Sequence, residues 1–549
     1  MKKYRGNPWA VLIVVSLGFF MTLLDLTIVN IAIPDMITQL HASLDDALWV
    51  INAYALVLAV LLITAGRLGD LFGQRRMFMI GIVIFTVASA ACGLAPGPGA
   101  LIAFRAVQGL GAAALMPQTL AMLTMVFPAE RRGTAFGIWG AVAGVATIAG
   151  PTLGGLLVTA FDWRWIFYVN LPIGVLVLVL STILIPDLRT GREHRLDVPG
   201  VVLASAALVA ICYGLVEGQR YNWGKINSVL SIPLLIGGGI VLLAVFLIVQ
   251  ARTQDREPLV PFSLFRDRNF TLMNGLSATI SIGMMGIFLP LTIYFQSDLG
   301  FTALKAGLTM APASLVSMFV APVAGRMSDR IGGKYILITG LTLFAAGMGW
   351  TAAIAGPSSR WYAFLPALIV AGVGLGCTFA PMTTVALRNV DPRMAGAASG
   401  MLNTVRQVGS VIGTAAIGAL LQSQLASALT AEAARRSTAL PPGDRARFVA
   451  GFADSARSGL QVGAGQSGAK LPAGTPPALA AELGRISREV FSQGFVNALH
   501  TTMIMPIAVL AVGAVSCLGI KRMRKTAAPG ADAPGAAGPA AEQHPAAAG

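Results

Sequence analysis

Charged residues are scarce in this chain. Of its 549 residues only 11% are Asp, Glu, Lys or Arg, whereas 55% are hydrophobic, and the mean hydropathy is +0.73. Apolar runs recur along almost the whole length, which is typical of a polytopic helical membrane protein. Outside these runs no stretch is large enough to fold into a catalytic domain, and we therefore do not expect an enzyme.

Cysteine and histidine are also rare, with four residues of each. The cysteines lie singly in different apolar runs and the histidines are scattered, so neither a disulfide nor a metal site is predicted. The sequence also lacks a phosphate-binding loop and a recognisable nucleophile triad. We expect no metal and no bound cofactor. Without an ATP-binding loop, the energy for any transport must come from an ion gradient or from the gradient of the substrate.

Fourteen apolar segments are long enough to cross a bilayer as helices, which rise about 1.5 Å per residue. Their approximate bounds are 9–33, 47–66, 77–95, 101–125, 134–158, 165–185, 198–217, 229–250, 270–295, 303–324, 335–355, 361–386, 397–421 and 498–519. A long segment, 422–497, separates the last two. The chain ends in a stretch rich in Ala, Pro and Gly, 522–549, that we expect to be disordered. An even number of spans places both termini on one side.

The formal net charge of +15 reflects membrane topology rather than nucleic-acid binding. Most Lys and Arg residues fall on the side of the termini, including clusters at 67–76, 189–195, 252–268 and 326–334. Cytoplasmic connections of membrane proteins carry such an excess of basic residues. We therefore predict that both termini are cytoplasmic and that 422–497 is extracellular, and we expect no nucleic-acid partner.

Two parts of the sequence resemble each other. The segment 66–75, after the second span, repeats as 325–334 after the tenth, with Gly, Arg, Asp and Gly at the same offsets. Such a repeat is typical of transporters built from two parallel halves, related by an axis along the membrane normal. We predict six-helix halves at 1–186 and 265–521, and a linker, 187–264, that carries two inserted membrane helices.

Asp25 and Arg105 lie inside predicted spans, away from their ends. A charged side chain at the centre of a bilayer costs at least ~2.5–3.5 kcal/mol on insertion scales, and so an ionisable residue there indicates a function. Two interpretations of Asp25 are open: a proton-binding carboxylate, or a structural hydrogen-bonding one. For Arg105 they are a cation that controls the protonation of Asp25, or a fixed structural cation. The second half has no counterpart of Asp25 in its first helix.

Several segments resemble signatures of one transporter family. Residues 24–34 resemble the first-helix signature of the fourteen-helix drug:proton antiporter branch of the major facilitator superfamily. Residues 66–76 resemble the superfamily loop between helices 2 and 3, 101–109 its fourth-helix signature, and 144–155 its fifth-helix antiporter signature. Residues 163–172 also fit this branch, and we interpret them mainly as an interfacial aromatic belt with no catalytic role. The resemblance covers nearly the whole chain.

The resemblance implies a major facilitator fold and an exporter that works by alternating access. It implies efflux of amphipathic drugs or antibiotics, in exchange for protons, across a bacterial cytoplasmic membrane. We expect a monomer whose partners are the small-molecule substrate, protons and the lipid bilayer. Two alternatives stay open: a proton-coupled metabolite transporter, and a membrane sensor that transports nothing. The Gly150-Pro151 pair, which goes with exporters in this family, argues against the first, and the lack of a folded domain outside the spans argues against the second.

The residue chemistry and the resemblance together give four groups of candidate site residues. The proton-coupling pair is Asp25 and Arg105. The cytoplasmic gate comprises Gly66, Asp70, Gly73, Arg75, Arg76 and Asp329. The antiporter motif comprises Gly144, Gly150, Pro151, Gly154 and Gly155. Candidates for lining the substrate cavity are Thr27, Asn30, Trp49, Tyr54, Gln108, Asn403 and Arg406.

Two gate assignments carry a more specific expectation. Asp70 is expected to accept hydrogen bonds from Arg75 or Arg76, or to cap a helix N-terminus in the other half. The cations of the gate are assigned to Arg75 and Arg76. Arg406 either lines the cavity or is a gate partner for the region of Asp70.

The membrane interior holds few groups that can select a cargo. Thr27 and Asn30 either hydrogen-bond within this region or simply pack. Asp25 is the only acid there, and it is offset by Arg105 and Arg406. Since two desolvated positive charges would lack compensating carboxylates, we expect a lipophilic monocation or a neutral amphipath rather than a dication.

Overall fold

The computed structural model describes residues 6–42, 44–187, 197–218, 220–221, 223–254, 258–439, 445–446, 448–452 and 477–521. Within these residues fourteen helices are long and apolar enough to cross a membrane. The only strand-like pairing among them is an isolated bridge between Lys225 and Ser231. The predicted all-α architecture with fourteen spans is confirmed.

The long helices and the short α6 are numbered in chain order. They are α1 (Pro8–Gln39), α2 (Leu44–Phe72), α3 (Gln74–Gly93), α4 (Pro98–Val126), α5 (Arg132–Ala160), α6 (Trp165–Tyr168), α7 (Asn170–Leu184), α8 (Val198–Glu217), α9 (Ile232–Arg252), α10 (Arg268–Ile293), α11 (Ala303–Ile331), α12 (Gly333–Ala353), α13 (Leu365–Leu387), α14 (Ala395–Arg436) and α15 (Pro477–Ser516). The short α6 and α7 together form the sixth span.

The helices of residues 6–187 and those of residues 265–521 make two bundles that meet mainly along two helix pairs. Helix α2 packs on α14, and α5 packs on α11. Helices α8 and α9 pack on each other, and α8 also contacts α2 and α14. The inserted pair therefore lies at the side of the interface between the bundles and leaves its centre to the other helices.

One end of the bundle carries most of the basic connections. Helices α2, α4, α11 and α13 end there, and α3, α5, α12 and α14 begin there. We call it the basic end; its connecting segments are 67–76, 127–132, 326–334 and 388–394. The other end of the bundle is called the opposite end.

The expected long loop at 422–497 is wrong at both of its ends. Helix α14 continues to Arg436 and α15 already begins at Pro477. Leu429 of α14 packs on Gly494 of α15, and Arg436 forms ion pairs with Glu432 and Glu489. Hydropathy falls after residue 421 because Gln and Ser residues appear, followed by charged ones from Glu432 on, but Ala, Leu, Glu and Arg are strong helix formers and the helix continues. Residues 453–476 and the expected disordered tail, 522–549, lie outside the described residues.

Candidate transport site

The centre of the site is a buried ion pair between α1 and α4. Arg105 Nη1 lies 2.5 Å from Asp25 Oδ2, and both side chains are 0% exposed. The second carboxylate oxygen, Oδ1, accepts a hydrogen bond from Gln108 Nε2 at 2.9 Å and from Asn170 Nδ2 at 3.3 Å. All three partners of Asp25 are donors, which is the arrangement that an ionised carboxylate requires. The structure therefore brings together the predicted pair Asp25 and Arg105.

Arg105 is held by further contacts that do not involve Asp25. Its Nε donates to the backbone carbonyl of Val50 at 2.9 Å, and Nη1 also donates to Gln108 Oε1 at 2.8 Å. The guanidinium stacks over the ring of Tyr54, with 4.4 Å between its Cζ and the ring centroid. The position of Arg105 is thus fixed by α2 and α4, whereas Asp25 can lose the pair without releasing the guanidinium.

Asn170 is a site residue that the sequence analysis missed. The segment 163–172 was expected to form an interfacial aromatic belt, but Trp163, Phe167 and Asn170 are all 0% exposed. The helix breaks between α6 and α7, and Asn170 begins the second part with its amide directed at Asp25 and at Ser89 Oγ. A single Asn between aromatic and apolar residues was the available signal, because a buried amide needs polar partners.

Three further cavity candidates bond or pack elsewhere and make no described contact with the ion pair. Thr27 bonds to carbonyls of its own helix and to Ala146 of α5, so it joins helices. Asn30 is exposed and bonds to Leu26 of its own helix. Trp49, expected in the cavity, instead packs on Tyr213 of the inserted α8, with 5.6 Å between ring centroids. An aromatic side chain near the end of α2 covers the nearest apolar neighbour, which here is α8.

Three residues of the antiporter motif fix the course of α5. Near the middle of α5, Gly144 packs on the carbonyl of Ser314 in α11. Further along, Gly150 lies against Thr27 and Gly154 against Ile28, both on α1. Helix α5 therefore leaves α11 and packs on the helix that carries Asp25. Gly155 has no neighbour within 4 Å of an added Cβ.

Pro151, the fifth residue of the motif, has a backbone position within α5. Its side chain lies outside the described part of the chain.

Asp70 closes the basic end by capping a helix of the other half. Its Oδ1 accepts from the backbone N–H of Gly396 and its Oδ2 from that of Ala397, each at 2.8 Å. These N–H groups open α14 and have no partner within their own helix. A carboxylate there also meets the positive end of the helix dipole. Of the two alternatives for Asp70, the structure has the cap on a helix N-terminus of the other half and not the bond to Arg75 or Arg76.

Asp329 makes the matching contact in the other direction. Its Oδ1 accepts from Gly133 N at 2.7 Å, and its Oδ2 from Thr134 N at 2.9 Å and Thr134 Oγ1 at 3.0 Å. It therefore caps α5 as Asp70 caps α14. The two repeated loops of the sequence meet the opposite halves through equivalent carboxylates.

The gate cations are not where the sequence analysis placed them. Arg75 Nη2 donates to the carbonyl of Thr182 in α7, and Arg76 is exposed. Gln74, which stands where the family often has a basic residue, donates from Nε2 to Asp70 Oδ1 at 3.0 Å. Gly73 has φ +93°, a left-handed conformation that favours glycine, and starts α3 so that Gln74 lies beside Asp70. The following side chains turn away by about 100° per residue.

Close backbone contact at the basic end depends on glycine. A Cβ on Gly66 would lie 2.4 Å from the carbonyl oxygen of Gly396, and one on Gly133 would lie 2.3 Å from that of Gly325. No side chain fits at such distances, and so small residues allow the helices to touch.

Arg132 is a second missed residue of the basic end. Its Nη1 donates to the carbonyls of Leu387 and Arg388, at the end of α13, while Nη2 donates to Thr124 of α4. Arg132 therefore ties the two halves together. The sequence analysis counted it only as a topological charge. A basic residue next to Gly133, at the start of a span, was the available signal.

The halves separate toward the opposite end. On the face of α14 that packs on α2 and α4, Gly400 and Asn403 are buried, Ser410 is half-buried and Thr414 is exposed. The facing stripe of α2 shows the same change, from buried Leu62 to Leu48, which is 44% exposed. The described residues thus form a bundle that is closed at the basic end and opens between its halves toward the other.

The sequence profile of the Major Facilitator Superfamily matches residues 15–414. This protein belongs to the major facilitator superfamily. Similar proteins include the tetracenomycin C resistance and export protein of Streptomyces glaucescens, 34% identical over 94% of this chain and 92% of that protein. The puromycin resistance protein pur8 of Streptomyces alboniger is 39% identical over 74% of this chain and 80% of that protein.

A solved structure of another transporter has a similar fold. The human organic anion transporter MFSD10 has a TM-score of 0.55 and 10% identity, over 92% of this chain and 99% of that one. At this identity the likeness concerns the fold alone. The chain is a multi-pass membrane transporter and not an enzyme. The names of its relatives agree with the predicted drug-efflux branch of the superfamily.

Proposed function

We propose that this protein exports amphipathic drugs or antibiotics across the bacterial cytoplasmic membrane, in exchange for protons, by alternating access. The observation that supports proton coupling is the fully buried carboxylate of Asp25, which is surrounded by donors and paired with Arg105 inside the membrane-spanning region. Apart from this pair, Arg406 is the one Asp, Glu, Lys or Arg residue that the sequence places inside a predicted span and away from its ends. Sodium coupling is disfavoured, since a hard cation needs several oxygen ligands at once.

The excess of basic residues assigns the basic end to the cytoplasm. With that orientation the structure corresponds to the outward-open state, with its cytoplasmic end closed by the caps at Asp70 and Asp329. In an export cycle the cargo would leave from this state, and a proton would enter from the same side.

Protonation of Asp25 is the step that would start the return to the inward-open state. Protonation removes the negative charge of the carboxylate, so the ion pair to Arg105 is lost and the hydrogen bonds from Gln108 and Asn170 become weaker. Helix α1 is then free to shift against α4. Because α1 packs on α5 at Gly150, and α5 is capped by Asp329, movement of α1 is passed to the closed end.

The names of the relatives support the cargo class. Two of them are resistance proteins for antibiotics, and one is also called an export protein. An apolar space between helices with few polar groups suits amphipathic small molecules.

Two measurements test this proposal. An efflux-deficient bacterial host that expresses the chain should become resistant to part of a broad panel of antibiotics and dyes. In proteoliposomes a pH gradient should drive uphill transport of those compounds, and Asp25→Asn should abolish it because the side chain keeps its shape and no longer binds a proton. Substrate counterflow without a gradient should persist in this variant. Wild-type uphill transport by Asp25→Asn would refute proton coupling through this residue, and absence of counterflow by the natural protein would refute transport.

A further inference from the structure

The charges in the middle of the membrane do not balance. Among Asp, Glu, Lys and Arg, the residues that lie inside the spans and away from their ends are Asp25, Arg105 and Arg406. Asp25 and Arg105 neutralise each other in a pair at 2.5 Å. Asp70 and Asp329 bind helix ends at the basic end. One positive charge, on Arg406, is left over.

Arg406 has no counter-ion among the described residues. Its guanidinium forms no ion pair with them and no hydrogen bond to them. The side chain is half-buried, so part of it reaches open space. A guanidinium at this depth must be paired or solvated, and its five donors suit a planar acceptor such as a carboxylate.

The open space beside Arg406 is the one between the two halves. Ser399 lies seven residues, or two helical turns, before Arg406 and on the same face of α14; its Oγ donates to the carbonyl of Pro117 in α4. Gly409 and Gly413, three and seven residues after Arg406, pack on α10. Arg406 therefore points between α4 of one half and α10 of the other. It lies where the buried part of this face ends and the accessible part begins.

We propose that Arg406 binds an acidic group of the cargo: a carboxylate, or the ionised hydroxyl of a phenol or enol. This inference rests on the proposed export function and specifies its substrate class. It revises the expectation of a monocationic or neutral cargo, because Arg105 already neutralises the charge of Asp25. A cation in this space would meet Arg406 without a described carboxylate to balance it, whereas an anion satisfies Arg406.

The local charge is tested without any cargo. The variant Ser410→Cys places a thiol one helical turn from Arg406. In the detergent-solubilised full chain, this thiol should be labelled with an anionic and a cationic methanethiosulfonate, sulfonatoethyl and trimethylammonioethyl. We compare the rate of labelling by the anionic reagent with the rate of labelling by the cationic one. The ratio of the anionic to the cationic rate should fall on the order of tenfold when Arg406→Gln is added. It should be retained with Arg406→Lys, which keeps the charge, and with Arg393→Gln, an exposed cation outside this space. The chain without the new cysteine gives the background of the four natural ones.

The substrate class is tested with a carboxylated anthraquinone and its methyl ester. Binding to the purified full chain should favour the acid, and Arg406→Gln should weaken binding of the acid at least about tenfold while leaving the ester unchanged. Equal binding of acid and ester, binding of neither, or an unchanged thiol-labelling ratio would overturn the proposal. Counterflow of a compound from the resistance panel reports separately on the export function. If counterflow persists while the acid shows no preference for Arg406, only the substrate inference fails.

Discussion

The charge of Asp70 should determine how firmly the basic end stays closed. Its two carboxylate oxygens accept one backbone N–H each, from Gly396 and Ala397, at the first turn of α14. Asn has the same shape but no charge, and its amide nitrogen would face one of these N–H donors. Asp70→Asn therefore removes one hydrogen bond, replaces it with a donor facing a donor, and weakens the other.

The size of the effect follows from the contacts. A hydrogen bond to a charged group contributes about 1.5–3 kcal/mol, and a charge at a helix N-terminus typically 0.3–1 kcal/mol. We expect Asp70→Asn to destabilise the closed end by about 2 kcal/mol, which changes the ratio of closed to open molecules about 30-fold. Asp329→Asn should act similarly, because it loses equivalent bonds to Gly133 and Thr134. The two sites lie on different helix pairs, and so the effects should add in the double variant.

Distances between spin labels measure this directly. Arg76 and Arg330 are exposed at the basic end of the two halves and are suitable label positions. Pulsed electron paramagnetic resonance should show one short distance between the two labels in the parent protein. In Asp70→Asn a second population with a longer distance should appear. The control is Asp391→Asn, since this exposed carboxylate caps only its own loop. Turnover should fall while substrate affinity changes little. A distance distribution like that of the control would refute the role of Asp70 in closure.

Three further predictions concern the interface and the topology. Gly133→Ala should slow turnover at least several-fold, since its Cβ would lie 2.3 Å from the carbonyl oxygen of Gly325; Gly140→Ala on the same helix meets nothing within 4 Å and should transport normally. Arg132→Gln should lengthen the label distance by removing its bonds to the end of α13, whereas Arg131→Gln, an exposed neighbour, should not. A cysteine at Thr475 should react with an impermeant thiol reagent in intact cells, and labelling only after lysis would contradict the extracellular position of this segment.

The sequence alone determined the number of membrane helices and the presence of a repeat. Both are local properties: an apolar run of sufficient length predicts a span wherever it lies, and the loops at 66–75 and 325–334 match by their letters. The same holds for Asp25 and Arg105, which stand out because a charge inside an apolar run is rare. Their direct contact is not a local property, because it depends on how α1 packs against α4.

Only the tertiary structure decided which side chains meet. Asn170 reaches Asp25 because the sixth span breaks and turns its amide inward, and Gln74 rather than Arg75 reaches Asp70 because Gly73 sets the start of α3. Neither contact leaves a periodic signal, since each depends on the mutual orientation of helices that are distant in sequence.

The charge of Arg406 shows the same limit. The sequence counted it as one of two cations that offset Asp25, but the packing of α4 gives Asp25 to Arg105 alone. Arg406 is left facing the space between the halves, without a described counter-ion. Composition determines how many charges a membrane protein carries, whereas three-dimensional packing decides which of them remain available to a substrate.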